Sequence, residues 1–169
     1  MSNSSAEKAD FSKVHLILGT DHGGFSFKEA IKEWLTELGY SCQDLGAHTY
    51  DEADDYPPIA FGVAEAVVKA EESQEHADVR GILFCRSGGG MSIAANKVGG
   101  IRAVPLYSVK EAVHAKEHNN ANVISISGDW MTEQEIKEVI KTYLETSYLN
   151  LERYNRRHEQ ISAYERANT

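Results

Sequence analysis

A cysteine followed by a run of glycines is the sharpest chemical signal in the sequence. Residues 81–85 form a short apolar run that ends in Cys85, and a helical pattern starts near residue 91. Between them lie five residues: Arg86, Ser87, Gly88, Gly89 and Gly90. Backbone amides in such a turn can approach and hold an anion, and they also favour the thiolate form of a nearby thiol. A tight turn around a buried structural cysteine is the alternative interpretation.

Two other pairs of residues carry groups that bind sugars or move protons. Asp21 and His22 follow the first apolar run and could bind hydroxyls and phosphate, or simply form a glycine-rich turn. His118 and Asn119 end a helical pattern, where a histidine could act as a general acid–base or only complement the helix dipole.

Charge is distributed unevenly along the chain. The 169 residues include 17 Lys and Arg against 26 Asp and Glu, a net charge of −9, which argues against nucleic-acid and anionic membrane partners. Residues 150–169 nevertheless carry four arginines against three acids. Arg153 and Arg157 in this segment could clamp a phosphate, or they could lie on a solvated helix face. Tyr56, in an acidic loop, could stack on a sugar or cap the core.

The elements that must position these residues alternate between strand and helix. Apolar runs near residues 14–18, 40–45, 81–85, 101–106 and 122–127 are separated by amphipathic helical patterns. This order predicts an α/β fold in which a five-stranded parallel sheet has helices on both faces. The carboxyl ends of the strands, where ligands bind in such sheets, would carry most of the unusual residues.

The two ends of the chain and its two cysteines indicate where the protein acts and how it assembles. The sequence contains no stretch of 18 apolar residues, so no membrane-spanning helix is predicted. Residues 1–13 lack the apolar region of a secretion signal and are expected to form a disordered leader. Cys42 and Cys85 are too few for a disulfide framework, and no metal-type spacing occurs, so we expect cytoplasmic thiols and no metal. The polar pattern of residues 150–169 predicts a helical arm that crosses to a partner chain, and we therefore expect a dimer.

Six motifs follow one another along the chain. They are Gly19-Thr-Asp-His-Gly-Gly-Phe-x-x-Lys-Glu, Asp44-Leu-Gly, Asp55-Tyr-Pro, Gly81-Ile-Leu-x-Cys-x-Ser-Gly-x-Gly-Met-Ser-Ile-Ala-Ala-Asn-Lys-Val, Lys116-Glu-His-Asn-x-Ala-Asn-Val and Arg153-x-x-Arg-Arg157. In this order they resemble the B-type ribose-5-phosphate isomerase family, which also contains allose-, galactose- and tetrulose-phosphate isomerases. The resemblance covers about residues 14–166.

The resemblance implies a Rossmann-like fold and metal-free aldose–ketose isomerisation without a cofactor. It implies a homodimer, with pairing into a tetramer left open, whose site lies at the subunit interface. Residues 14–149 would form the isomerase domain and residues 150–169 the arm. The substrate would be a phosphorylated sugar, with ribose 5-phosphate as the default and a tetrulose or hexose phosphate as alternatives.

The resemblance also assigns roles to the candidate residues. Cys85 matches the base that moves a proton between C1 and C2, and the amides around Ser87 match the enediolate site. His118 matches the residue that opens the sugar ring. The remaining matches are substrate-binding residues: Asp21, His22, Tyr56, Gly88, Gly89, Gly90, Asn119, Arg153 and Arg157.

Two residues depart from the family pattern. Arg86 stands where the family usually has glycine, and Asp129 stands where it tends to have a phosphate-binding arginine. The two could simply pair as a salt bridge at the edge of the site, or they could reshape the pocket for another phosphosugar. A third hypothesis is a non-catalytic sugar-phosphate binding protein that has lost phosphate ligands.

Overall fold

A five-stranded, wholly parallel sheet forms the centre of the protein. A computed structural model of the chain describes residues 14–168, so the predicted leader lies outside the described residues. The strands are β1 (Val14–Thr20), β2 (Ser41–Asp44), β3 (Asp78–Cys85), β4 (Ala103–Leu106) and β5 (Val123–Ser127). They pair in the order β2-β1-β3-β5-β4, and every pairing is parallel. The predicted sheet is confirmed.

Helices cover both faces of this sheet, as predicted. They are α1 (Phe25–Glu37), α2 (Tyr56–Ser73), α3 (Gly89–Ala95), α4 (Val109–Glu117), α5 (Glu133–Glu145) and α6 (Glu152–Asn168). One buried cluster packs side chains of α1, α4 and α5 against the sheet, and the other packs those of α2 and α3. The apolar runs of the central strands are buried because both of their faces are covered.

Local signals in the sequence explain where several helices begin and end. Gly39 follows α1 with a φ of +93°, a conformation in which a side chain would be strained. Two prolines occupy the first turn of α2, where the missing N–H costs nothing. Thr132 and Glu135 form a complete capping box at the start of α5. None of the helices between residues 14 and 168 is long and apolar enough to span a bilayer.

A buried lysine joins α1 to the end of β2. The Nζ atom of Lys28, whose side chain is fully buried, donates to both carboxylate oxygens of Asp44 at 2.8 and 2.7 Å, and to the carbonyl of Ala47 at 2.9 Å. Lys32 donates to the same carboxylate at 2.6 Å. Burial alone would raise the pKa of Asp44, but the two ammonium groups outweigh it and lower this pKa to about 2.

We therefore expect Asp44→Asn to lower the free energy of unfolding by about 3 kcal/mol at pH 7, because it leaves the buried Lys28 ammonium with only the more exposed Glu29 as counter-charge. The folded-state pKa of Asp44 is depressed, so its contribution is present above the unfolded pKa of about 4. It is lost as the pH falls from about 4 towards 2. Urea unfolding of wild type and variant across this pH range measures both effects.

Glu37→Gln is the matched control, since it removes one acid from an exposed position at the end of α1. It should change stability by about 0.5 kcal/mol or less. A similarly small change in Asp44→Asn would contradict the role of the ion pair.

Candidate active site

In a parallel sheet with this strand order, the crevice between the carboxyl ends of β1 and β3 is where a ligand is expected to bind. The chain leaves β1 towards β2 on one side, and it leaves β3 towards the strands on the other side. Loops that follow two such strands diverge and leave a gap at their carboxyl ends. Here the loops carry Asp21 and His22 after β1, and Arg86 to Gly88 after β3.

Cys85 is the last residue of β3 and its sulfur faces the glycine-rich turn. The backbone N–H of Gly88 donates to Sγ of Cys85 at 3.0 Å. Gly88 has a φ of +80°, which turns this N–H inward at a cost that only glycine avoids. Its carbonyl is held by the Ser125 hydroxyl at 2.7 Å, and that hydroxyl also contacts Ser92 at 2.6 Å. Two buried serines thus fix the turn that faces the thiol.

Burial and the nearby backbone amides act in opposite directions on the pKa of Cys85. Burial raises the pKa of this thiol, and the charge of Asp21 raises it further. Hydrogen bonds from the amides of Gly88, Met91 and Ser87 lower it, as predicted, but do not outweigh burial. The net direction, which the sequence left open, is therefore towards the thiol, because a thiolate here would lose its water shell.

Two aromatic residues lie against the same turn. The ring of Tyr56, at the start of α2, packs so closely on Gly90 that a Cβ atom there would lie 2.9 Å from its Cζ. Tyr107, after β4, donates its hydroxyl hydrogen to the carbonyl of Ser87 at 2.9 Å. Tyr56, Ser87 and the three glycines predicted from the sequence are therefore brought together around Cys85.

Asp21 and His22 lie at the other side of the crevice, after β1. Asp21 is buried and its Oδ1 accepts the N–H of Gly23 at 3.0 Å. Burial raises the pKa of this carboxyl, an effect that the Gly23 hydrogen bond opposes. His22 is paired with Asp54, whose Oδ1 lies 2.7 Å from Nδ1 of His22. That hydrogen bond raises the pKa of His22.

Arg86 and Asp129 form an ion pair at the rim. The Nε atom of Arg86 donates to Oδ2 of Asp129 at 3.0 Å, and the Asp129 N–H donates to the Arg86 carbonyl at 3.0 Å. The side chain of Arg86 passes over Gly23, so the pair borders the loop that carries His22. The salt bridge, one of the two alternatives predicted from the sequence, is present.

His118 and Asn119 lie at the opposite edge of the sheet from Cys85. In a parallel sheet, α4 must run back from the end of β4 to the beginning of β5, and His118 is its C-cap residue. Cys85 is level with Ser127 at the far end of β5. From its first residue to its last, β5 rises by four residues, so the two ends of the strands lie about 13 Å apart. Within one chain, His118 cannot reach a molecule bound at Cys85.

The C-terminal helix α6 packs beside His118. The buried ring of Tyr154 stacks on the imidazole of His118 with centroids 4.8 Å apart. The guanidinium of Arg153 lies over the same tyrosine ring, 4.8 Å from its centroid, and donates to its hydroxyl at 2.9 Å. Asn119 lines a cavity of about 320 Å³ between α6 and the sheet edge, together with His158 and Ile161.

The four arginines of α6 divide into two pairs. Arg156 is paired with Glu152, and Arg166 is paired with Glu159. Arg153 and Arg157, at i and i+4 on one helix face, make no ion pair with any carboxylate of residues 14–168. The two arginines predicted to bind phosphate are therefore the two that this part of the chain leaves uncompensated.

Two residues that contact candidate site residues, Asp54 beside His22 and Tyr154 beside His118, were not predicted from the sequence. Asp54 lies in a loop with three other acids, where no pattern singles out one carboxylate. Tyr154 follows Arg153 directly, and this neighbouring position is the signal in the sequence that could have indicated a shared role. Between residues 14 and 168, no group of three His, Cys, Asp or Glu side chains is arranged to hold a metal ion.

Comparison with known proteins matches this arrangement to one class. Residues 16–161 match the family model described as Ribose/Galactose Isomerase. Ribose-5-phosphate isomerase B of Mycobacterium tuberculosis is 37% identical over 155 residues, which are 92% of each chain. A putative sugar phosphate isomerase of Bacillus subtilis is 36% identical over 92% of this chain and 99% of its own.

Solved structures give the same result. Ribose-5-phosphate isomerase B of Mycoplasma genitalium, with bound ribulose 5-phosphate, superposes with a TM-score of 0.82 at 34% identity, over 90% of this chain and 97% of its own. The type B enzyme of Trypanosoma brucei gives 0.81 at 37% identity, over 90% and 99%. The chain belongs to the ribose/galactose isomerase family.

The contact between Gly88 and the thiol predicts the effect of Gly88→Ala. A side chain at this positive φ should lower the free energy of unfolding by about 1–2 kcal/mol. It should also turn the N–H away from Sγ and raise the pKa of Cys85 further, because one stabilising contact to the thiolate is lost. Urea unfolding and a thiolate absorbance titration in a Cys42→Ser background measure the two effects.

Gly62→Ala provides the control, since Gly62 lies inside α2 and an added Cβ there meets no atom within 4 Å. It should raise stability by about 0.5–1 kcal/mol and leave the thiol titration unchanged. If Gly88→Ala behaves in the same way, the turn does not depend on its glycine.

Proposed function

We propose that the protein is an aldose–ketose isomerase that interconverts ribose 5-phosphate and ribulose 5-phosphate through an enediolate, without a metal or cofactor. Membership of the family supports the reaction class. The names of the relatives, and the ribulose 5-phosphate bound to the Mycoplasma genitalium enzyme, support the substrate. We expect the enzyme to act in the cytoplasm.

The contact between Cys85 and the glycine-rich turn is the observation that carries this proposal. The Cys85 thiolate would take the proton from C2 of the open-chain aldose and return it to C1, while the hydroxyl proton on O2 passes to O1, to give the ketose. Negative charge would develop on the oxygens at C1 and C2 in between. Amides of Ser87, Gly88, Gly89 and Gly90 would stabilise it, because fixed donors need no reorganisation as charge appears.

The raised pKa of Cys85 has a consequence for the pH dependence of this reaction. A base whose pKa lies above neutral is mostly protonated at pH 7, so only a fraction of the enzyme carries the thiolate. Turnover should therefore rise as the pH increases from about 7 towards 9. A buried thiolate, once formed, is a strong base towards a carbon-bound proton because it is poorly solvated.

The remaining candidate residues would bind and prepare the sugar. His118 would open the ring, Asp21 and Asn119 would bind hydroxyls, and Tyr56 would line the sugar. The phosphate would be bound by His22, Arg153 and Arg157. A phosphate held far from the reacting carbons orients the chain of the sugar without taking part in the proton transfer.

These roles require two copies of the chain. Cys85 and His118 lie at opposite edges of the sheet, so one protomer would supply the base and its partner the ring-opening histidine. A homodimer would contain two such composite sites. Exposed apolar side chains on α3 and α6 support a protein partner, with Ile93 65% and Tyr164 72% exposed. Residues 14–149 would form the catalytic domain, and the arm at 150–169 would cross to the partner.

A second candidate substrate class rests on the residue type at position 129, whereas the salt bridge between Arg86 and Asp129 is the alternative that leaves the substrate unchanged. An aspartate replaces a phosphate-binding arginine of the resembling family, and the pair stands at the rim beside His22. This change could suit a phosphosugar of another length, such as a tetrulose or hexose phosphate. The non-catalytic alternative has less support, because Cys85, Ser87 and His118 are all retained.

A coupled assay of the purified protein tests the proposal. Ribose 5-phosphate should be converted, and Cys85→Ser should lower kcat at least about 100-fold while the far-ultraviolet circular dichroism stays unchanged, because the alcohol cannot act as the base. Cys42→Ser, the matched control, should keep wild-type turnover.

Phosphosugars of four, five and six carbons should be compared in the same assay. Preference for a four- or six-carbon substrate would replace the proposed substrate while keeping the reaction. Binding without turnover of any sugar would contradict an enzymatic role, and near-normal turnover by Cys85→Ser would contradict the base.

A further inference from the structure

Asp54 was not among the residues expected to bind the substrate, but it contacts one of them, His22, directly. One carboxylate oxygen, Oδ1, makes two hydrogen bonds with His22: one with its backbone N–H at 3.0 Å and one with its ring atom Nδ1 at 2.7 Å. A carboxylate next to a ring nitrogen requires that nitrogen to carry a proton. The contact therefore fixes Nδ1 as a donor and leaves Nε2 for a ligand.

The loop that carries Asp54 is tied to the end of β1. Backbone hydrogen bonds join Thr20 N–H to the Gly46 carbonyl at 2.7 Å and Ala47 N–H to the Thr20 carbonyl at 2.6 Å. The His22 backbone is then held by Asp54 itself. The start of this loop and the backbone of His22 are thus both held at the carboxyl end of β1, and the contact with Asp54 orients the imidazole.

The second oxygen of Asp54 shows that this carboxylate is not an ordinary surface acid. Oδ2 is buried and accepts no hydrogen bond from residues 14–168. Leaving a buried carboxylate oxygen without a donor is unfavourable for folding. A role in holding His22 accounts for an acid at this position, whereas packing alone would favour an apolar or fully bonded side chain.

Several charged groups face His22 and act in different directions. The hydrogen bond that His22 donates to Asp54 is the main influence and raises the pKa of His22, partial burial lowers it, and the charges of Asp21 and Asp54 raise it. Arg86, from the loop after β3, lowers it. The edge-to-face ring of Tyr50 adds no charge. The acids prevail, which keeps the imidazole cationic to a higher pH.

We propose that Asp54 is a positioning residue that holds His22 as an Nδ1-protonated imidazolium, with Nε2 directed at the phosphate of the substrate. The inference rests on the proposed function, in which His22 is a phosphate ligand. An imidazolium donates a charge-assisted hydrogen bond to a phosphate oxygen, whereas a neutral ring held in this tautomer presents a lone pair that repels it. Asp54 thereby sets the pH range over which phosphate binds.

Nitrogen NMR of the wild-type chain tests the geometry without any variant. Above the pKa of His22, the neutral ring should carry its proton on Nδ1, although a free imidazole prefers Nε2. Inorganic phosphate, added below that pKa, should shift the Nε2 resonance. The opposite tautomer, or no response of Nε2 to phosphate, would overturn the proposal.

Asp54→Asn tests the functional consequence through KM measured across pH. The His22 pKa should fall, so KM relative to wild type should rise with pH between about 6 and 8, by about tenfold at the upper end, while kcat changes little. Glu52→Gln is the control, since it removes one acid from an exposed position of the same loop. It should leave both quantities unchanged.

The outcomes separate this inference from the proposed function. A purely structural role for Asp54 would raise KM equally at every pH and leave the His22 titration in place, which would overturn the inference. Asp54→Glu, which keeps the charge, should restore part of the His22 pKa. If no phosphosugar is turned over, the proposed function fails, but the tautomer and the phosphate response of His22 still decide the inference.

Discussion

In a parallel sheet every strand ends at one edge, and every connecting helix returns the chain to the other. This constraint governs where each functional residue of the protein can lie. The strand ends bring Cys85, Asp21 and the glycine-rich turn to one edge, whereas the end of α4 brings His118 to the opposite edge, where α6 packs on it. Chemistry that needs both groups must therefore use two molecules. The fold itself makes the dimer a condition of the proposed catalysis.

Local electrostatics at the two edges differ from the charge of the whole chain. The net charge of −9 describes the surface, but α6 presents Arg153 and Arg157 without a carboxylate partner among residues 14–168, and the hydrogen bond to Asp54 raises the pKa of His22. A phosphate would meet these local charges first. Around Cys85 the balance is reversed, since burial and Asp21 oppose the thiolate and only backbone amides favour it. The groups that attract a phosphate are therefore separate from the buried thiol, which suits a substrate that carries its phosphate away from the reacting carbons.

The sequence predicted the architecture better than the assembly of the site. Strand runs such as residues 81–85, and the capping pair Thr132 and Glu135, lie within a few residues of the observed elements because their signals are local. The separation of His118 from Cys85 depends on topology, which no single motif contains. The raised pKa of Cys85 depends on burial by distant parts of the chain, so the amides near it in sequence could not show the net direction. Asp54 and the contact of Lys28 with Asp44 depend on pairing across loops and were likewise not visible in the sequence.

The most direct test of the account mixes two inactive variants, Cys85→Ser and His118→Asn, after reversible dissociation of each. Composite sites predict that each mixed dimer regains one site with both residues intact, so that random pairing restores about a quarter of wild-type turnover. Each variant alone, treated in the same way, should remain inactive. If the mixture stays inactive although native mass spectrometry shows mixed dimers, the two residues do not act in one site built from two subunits, and the central claim is contradicted.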